Sequence, residues 1–441
     1  MIHRYYSCAL RTVLLFAMTI GVAAAGAAGE QYAESGSPYG WIVREIRIQG
    51  LRACPEALVR NQLASQVNRV YTAEVAEQDL RWLDRLGVFA SVRESATIIG
   101  GDVVLTVDVV ELPGILPFPT LNITDENGAS GGFGAGMPNL LHSAVALSGS
   151  FKLGGLTEIG ASVQAPWRLQ RREWYSVNYN YRDRINQLDD FRENSHELDM
   201  RMGISLYPDW MLSGKLGYMS MGSNIPGVTL SPGNRDNIPA LGAVLEYDGR
   251  DSSSMPRRGW QGIFDVTQNG GFLGGDGDFV TTQLDVRRYQ PLAGRHGLAI
   301  FSYATLQSGV VGRDVPVYRD FKIGGTNTVR GWNSGARRGN NQFINTLEYR
   351  FEVLPPKAFR AFRFDLYAGM QLVAFADVGT AWSYGSDFTR NVIAGGGFGL
   401  HFLVPFVDTV RFDFGFGQSG TGIHPNIHIR EKAYYSRNRI R

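Results

Sequence analysis

The sequence predicts a small α+β domain followed by a transmembrane antiparallel β-barrel of about sixteen strands. Three observations predict it. Residues 41–112 carry strand-like and helix-like apolar spacing in a compact order. From about Pro117 onward, apolar and polar residues alternate in one segment after another, the two-residue period of a strand. Charged residues make up 19% of the 441, below the roughly 25% usual in soluble domains. Yet no internal run reaches the roughly 18 apolar residues of a membrane helix. Low charge with alternation is the trace a membrane barrel leaves in a sequence.

The first residues, 1–27, read as a secretory signal peptide. Arg4 and Arg11 give a basic start, Val13 to Gly21 is apolar, and Ala23-Ala24-Ala25 or Ala25-Gly26-Ala27 offers a cleavage site. An anchoring helix is the alternative, but the run is short and ends in alanine and glycine. Cys8 would leave with this segment, so Cys54 would stay as a lone thiol that forms neither an internal disulfide nor a metal site. It reads as a helix-entry residue. A net charge of +2 describes an ordinary near-neutral surface and gives no reason to expect a nucleic-acid partner.

A polar linker, residues 28–40, leads into the soluble domain, residues 41–112. Val43, Ile46 and Ile48 sit among charged residues in a strand pattern that Gly50 ends. Pro55 opens a helix whose Leu58, Val59 and Leu63 share a face. Thr72 is placed to cap a second helix, with Glu74 and Glu77 in its first turn. Val75, Ala76, Leu80, Trp82, Leu83 and Leu86 form that helix's apolar stripe, and Gly87 stops it. Two strands, Val92 to Ile99 and Val103 to Val110, follow around Gly100-Gly101. This order resembles a POTRA domain, and Leu86-Gly87-Val88-Phe89-Ala90-Ser91-Val92 resembles its helix-to-strand junction. The resemblance implies a module that takes up an extended client at a sheet edge; a rigid spacer is the plainer reading.

In the barrel region, residues 113–441, Leu198, Met200, Met202, Ile204 and Leu206 alternate with Glu197, Asp199, Arg201, Gly203 and Ser205. Val410, Phe412, Phe414 and Phe416 alternate with Arg411, Asp413, Gly415 and Gly417. Such segments begin near residues 117, 131, 141, 156, 173, 194, 210, 237, 258, 277, 295, 341, 364, 388, 408 and 426. Alternation alone fits a soluble sandwich as well as a barrel with a wet lumen. The leader and the motifs below decide for the barrel, whose closure would leave no unpaired backbone in lipid.

The longest connection, 308–339, separates the eleventh and twelfth segments and far exceeds a hairpin turn. At its centre stands Val329-Arg330-Gly331-Trp332. Asn345-Thr346-Leu347-Glu348-Tyr349-Arg350 and Phe375-Ala376-Asp377-Val378-Gly379 follow, and Tyr247-Asp248-Gly249-Arg250-Asp251 with Pro256-Arg257-Arg258-Gly259-Trp260 precedes. These four motifs, in this order, resemble the BamA/TamA superfamily of outer-membrane assembly and translocation barrels. The resemblance implies that loop 308–339 folds into the lumen and that Arg330 pairs with inward-facing acids. The alternation identifies the acids. Leu347 and Tyr349 share one strand face, which leaves Glu348 inward; Ala376 and Val378 face lipid, which leaves Asp377 inward. Arg330, Gly331, Trp332, Glu348 and Asp377 are therefore the expected structural lock, since a guanidinium fork can pair two carboxylate oxygens at once.

Other polar groups carry less. Asp248, Arg250 and Asp251 read as a charged turn, solvated or functional. His424 and His428 share a strand face but supply too few ligands for a metal. The last strand places Ile427, Ile429, Ala433 and Tyr435 on one face, with Ser436 to Arg441 beyond it. Pro425 and Glu431 there are compatible with a weak seam between first and last strands. No Gly-x-Ser-x-Gly elbow, HExxH, phosphate loop or zinc spacing occurs, so neither an enzyme nor a cofactor is expected. The resemblance implies an outer-membrane protein insertase or translocase with its POTRA domain in the periplasm. Its partners would be outer-membrane lipids, an unfolded or partly folded client protein, and periplasmic proteins. The alternative is a structural barrel or passive channel.

Overall fold

A computed structural model describes residues 37–124, 128–165, 173–186, 188–207, 209–251, 256–361, 364–383, 385–386, 388–404, 407–417 and 424–430. The signal-peptide segment, Glu431, Ala433, Tyr435 and Ser436 to Arg441 lie outside these residues, as do the side chains of Pro425, His424 and His428.

The first domain runs β1 (Val43–Gln49), α1 (Glu56–Gln62), α2 (Ala73–Arg85), β2 (Phe89–Ile99) and β3 (Asp102–Glu111). Its sheet order is β1-β3-β2, with β1 and β3 parallel. The local signals act as the sequence predicts. The Thr72 side chain accepts from the Val75 N–H at 3.3 Å, capping α2. Gly87 takes φ +67° at its end, and Gly100 and Gly101 turn β2 into β3 with φ +64° and +90°. Pro55 stands at the N-cap of α1, one position earlier than its expected place inside the helix. Val59, Leu83, Leu86, Val103 and Leu105 form the dry centre between helices and sheet. Cys54 is buried at the entry to α1, and burial pushes its thiol up to about 11, so it stays protonated and unreactive at neutral pH.

Sixteen further strands form one antiparallel sheet. They are β4 (Leu116–Thr124), β5 (Gly128–Leu140), β6 (Val145–Gly154), β7 (Leu156–Ala165), β8 (Glu173–Asn186), β9 (Phe191–Tyr207), β10 (Trp210–Ser223) and β11 (Arg235–Asp248). They continue as β12 (Gly259–Gly270), β13 (Asp278–Pro291), β14 (His296–Gln307), β17 (Asn341–Ala361), β18 (Phe364–Trp382), β19 (Ile393–Val404), β20 (Val407–Gly417) and β21 (His424–Arg430). Between β14 and β17 a separate hairpin, β15 (Phe321–Ile323) and β16 (Arg337–Gly339), stands inside the long connection. Neighbours in the chain are neighbours in the sheet throughout, as successive hairpins require.

The faces are inverted relative to a soluble protein. Met202 and Leu206 on β9 and Phe398 and Phe416 on β19 and β20 are exposed, whereas Asp265, Asp285, Gln371 and Asp413 are buried. An apolar exterior around a polar interior is the arrangement of a lipid-facing barrel. Two expected starts are displaced. Leu141, His142 and Ala144 have positive φ and form a turn, so the third barrel strand begins at Val145 rather than near 141. Phe388–Asn391 is a short 3₁₀ turn that delays the fourteenth to Ile393. The first and last barrel strands, β4 and β21, lie side by side, but no ladder joins them among the described residues. The expected complete closure is thus not formed there; β21 has seven residues, and Pro425 brings no N–H to either of its edges.

The soluble domain rests on one rim of the barrel. The Arg85 guanidinium on α2 donates to the Asp248 carbonyl and lies 3.4 Å from Asp209 in the β9–β10 turn. Arg258, after β11, pairs with Glu77 of α2 at 2.7 Å, and Ala144 joins the domain's apolar core. Asp248 and Arg250 are accordingly not a solvated turn. They form a two-bond pair at 2.8 and 2.9 Å, buried where the domain meets the rim.

Candidate functional site

The loop between β14 and β17 turns inward and docks on the lumenal face of β17–β20. Gly331 makes the turn possible, with φ +91° and no room for a Cβ, which would overlap the Phe416 carbonyl carbon. The wall is cut back to match. A Cβ on Gly395 would overlap the Arg330 carbonyl oxygen, and one on Gly415 would stand 2.5 Å from the Gly331 nitrogen. Beside this contact Ile323 and Val329 of the loop pack on Tyr303, Ile344, Ala381 and Ile393 of the wall. The loop therefore has an apolar seat as well as polar ties.

Arg330 is the centre of the polar ties. Its Nε and Nη2 donate to the two carboxylate oxygens of Asp377 at 2.7 and 2.8 Å, and its backbone N–H adds a third bond to Asp377 at 3.1 Å. Nη1 donates to Glu348 at 3.2 Å and to Asp413 at 2.9 Å. The guanidinium lies 3.5 Å over the ring of Phe375. Side-chain exposure is 6% for Arg330, 1% for Glu348, 0% for Asp377 and 4% for Asp413. Ions this dry are tolerable only with each polar atom paired. The second Glu348 oxygen accepts from Arg350 at 3.0 and 2.6 Å. Asp377 also accepts from the Thr346 hydroxyl at 2.9 Å, and Asp413 meets the His401 imidazole at 3.0 Å. Trp332 finishes the tip, donating its indole N–H to the Ala394 carbonyl at 2.8 Å.

All five residues expected at the lock are brought together. Alternation gave the inward direction of Glu348 and Asp377 correctly, for Leu347 and Tyr349 are exposed on the opposite face of β17. Sequence reasoning missed Asp413 as a third acid, His401 behind it and Phe375 beneath the guanidinium. Asp413 stood on the polar face of its segment, so a signal existed. Nothing local told it apart from other inward-facing acids of the barrel such as Asp265 and Asp285.

Residues 127–429 match the family described as the Omp85 superfamily domain, and residues 42–112 match the surface antigen variable number repeat, a POTRA module. The chain belongs to the Omp85 superfamily. A curated relative, the outer membrane protein assembly factor BamA of Nitratidesulfovibrio vulgaris, is 32% identical over 200 residues. That match takes in 41% of this chain and 23% of the relative, so less than a quarter of the relative's length is represented. Among solved structures, BamA from Haemophilus ducreyi lacking POTRA domains 1–3 is similar with a TM-score of 0.57 at 16% identity, covering 88% of this chain and 83% of that one. CdiB from Escherichia coli is similar with a TM-score of 0.60 at 14% identity, covering 89% and 75%. At such identities the structures bear on the fold: one POTRA domain ahead of an Omp85 barrel.

Proposed function

We propose that this protein is an outer-membrane insertase or translocase, with its POTRA domain in the periplasm receiving an unfolded or partly folded client for the barrel. The observation that carries the reading is the lock: a buried arginine with three acids holds a long loop inside a barrel whose rim seats a POTRA domain. Loop 308–339, bonded to the wall in this way, serves as a structural element of the machine rather than as a surface connection. In the POTRA sheet, β2 is an eleven-residue edge strand that ladders only with β3 among the described residues. A client in extended form gains main-chain hydrogen bonds by adding to such an edge. Folding of the client into the membrane supplies the driving force, so the residues need only position and release it. Membrane lipids and periplasmic proteins complete the partner set.

The test is quantitative proteomics of the outer membrane after depletion of this protein. Loss of a defined set of proteins, restored by the wild type but not by a variant lacking residues 41–112, is the expected result. An unchanged proteome together with stable ion conductance by the isolated barrel would overturn the reading in favour of a passive channel.

A further inference from the structure

The two faces of β13 end differently at the rim that seats the POTRA domain. Asp285, Arg287 and Tyr289 point inward and are buried. Leu284, Val286 and Arg288 therefore point outward, toward lipid, since side chains alternate along a strand. Arg287 has its counter-ion: Nε and Nη2 donate to Asp285 at 2.9 and 2.7 Å. Its neighbour Arg288 meets no carboxylate among the described residues. Nη2 donates to the Gln290 amide oxygen at 2.5 Å, and the guanidinium lies 4.9 Å over the ring of Trp260, the residue directly opposite on β12. The ring gives the cation a platform but leaves its charge unneutralised. Charge on the lipid face of a barrel is costly at mid-depth and tolerated near the headgroups, where a phosphate can supply the missing anion.

The position of Arg288 is at that level. It lies three residues before the end of β13, and Trp260 is the second residue of β12. The same outward band carries Trp210 and Tyr247, with rings 5.0 Å apart on β10 and β11. On β14 and β17 it carries His296 beside Tyr349 and Phe351, with rings 5.8 and 4.9 Å away. Tryptophan and tyrosine collect where a membrane meets water. In the turn that follows β13, Arg295 is exposed and donates to the Val353 carbonyl at 3.4 Å. It too meets no carboxylate among the described residues. Arg257 and Arg258 nearby are engaged, with Glu352 at 3.4 Å and Glu77 at 2.7 Å. Two cations without acids thus stand along the end of β13 and its turn, within an aromatic band.

We propose that Arg288, on its Trp260 platform, and Arg295 bind the phosphate of an anionic phospholipid in the periplasmic leaflet, fixing the depth of the barrel beside the seat of the POTRA domain. A guanidinium fork matches two phosphate oxygens, and clustered arginines at a membrane surface draw anionic lipid. The inference rests on the barrel reading above, with the POTRA rim in the periplasm, and asks nothing of the client role.

The experiment uses the full chain purified in a mild detergent, with phosphatidylglycerol added and bound lipid counted by native mass spectrometry. The wild type should hold one phosphatidylglycerol. In Arg288→Gln with Arg295→Gln its affinity should fall about tenfold or more, as loss of charge-assisted bonds predicts, while heat resistance in lipid-free detergent stays at the wild-type level. Equal retention by the two proteins would overturn the proposal, as would phosphatidylcholine held as tightly as phosphatidylglycerol. Displacement of the lipid by millimolar inorganic phosphate would also overturn it, since the site would then serve a free anion. A measurement on the wild type covers the case in which the double variant fails to fold. Phosphatidylglycerol with a photoreactive headgroup should label peptides from residues 257–298; label confined to other peptides refutes the site. External protease on intact cells reports separately on sidedness. Cleavage there within residues 41–112 would bring down the periplasmic reading, while lipid retention by the purified chain stands or fails on its own readout.

Discussion

Replacing Arg330 by alanine would leave Glu348, Asp377 and Asp413 facing one another with no cation between them. Four side-chain hydrogen bonds are lost, two from the fork to Asp377 and one each from Nη1 to Asp413 and Glu348, while the backbone N–H that reaches Asp377 is kept by alanine. Of the side chains bonded to the acids, Arg350, Thr346 and His401 would remain. Removing one partner of a buried ion pair costs about 3–5 kcal/mol, and entry of water into the lumen moves the figure to the lower end. The assay is the temperature at which the folded barrel loses its fast migration in a detergent gel, paired with urea unfolding. Arg330→Ala should lower both. Arg330→Lys should recover part of the loss, since an ammonium restores charge but cannot serve the Asp377 fork and the other two acids together. Adding Asp377→Asn to Arg330→Ala should also recover part, because it removes a stranded charge, and this non-additivity marks a real network. Heat resistance and client assembly at wild-type level in Arg330→Ala would refute the reasoning.

Further outcomes follow from particular residues. Gly395→Val places a side chain where the Arg330 carbonyl lies, so the loop should lift from the wall; a loss of about 1–3 kcal/mol is expected, read by urea unfolding and by trypsin cleavage after Arg330. Leu83→Ala, at the dry centre of the POTRA domain, should cost that domain about 2–5 kcal/mol, read by hydrogen exchange in α2 while the barrel's heat resistance is unchanged. Arg85→Ala combined with Arg258→Ala removes two of the ties from α2 to the rim and leaves Arg81 with Asp209 at 3.8 Å; it should broaden the distance distribution between spin labels on the POTRA domain and the barrel. Burial pushes the Glu94 carboxyl up to about 7, against the opposing hydrogen bond from Tyr71. The folded domain then holds this proton more tightly than the unfolded chain, so stability is greatest below the ordinary value of 4.5 and falls as pH rises toward about 7. Hydrogen exchange in β2 at pH 5 and pH 8 should show that loss, and Glu94→Gln should abolish the difference.

Much of this architecture is local and so could be read in the chain. Alternation follows from the two-residue period of a strand, and it alone fixed that Glu348 and Asp377 point inward while Leu347 and Val378 point out. Helix stripes, the Thr72 cap and the Gly100-Gly101 turn depend on neighbours a few residues away, and they located the elements of the POTRA domain to within a few positions. Where turn geometry outweighed alternation, as at Leu141–Ala144, the strand start moved. Tertiary structure decided which inward groups meet. Asp413, Asp265 and Asp285 are all inward-facing acids to a periodic rule, yet it is Asp413 that meets the guanidinium, because the path of the returning loop brings Arg330 to β17, β18 and β20. Asp189, in the turn between β8 and β9, accepts from Lys322 and Arg338 of the loop, more than a hundred residues away in the chain. Its meeting with them depends on the curvature of the whole sheet, which carries the fifth and sixth strands round to face the twelfth and thirteenth, and no stretch of sequence encodes that curvature by itself.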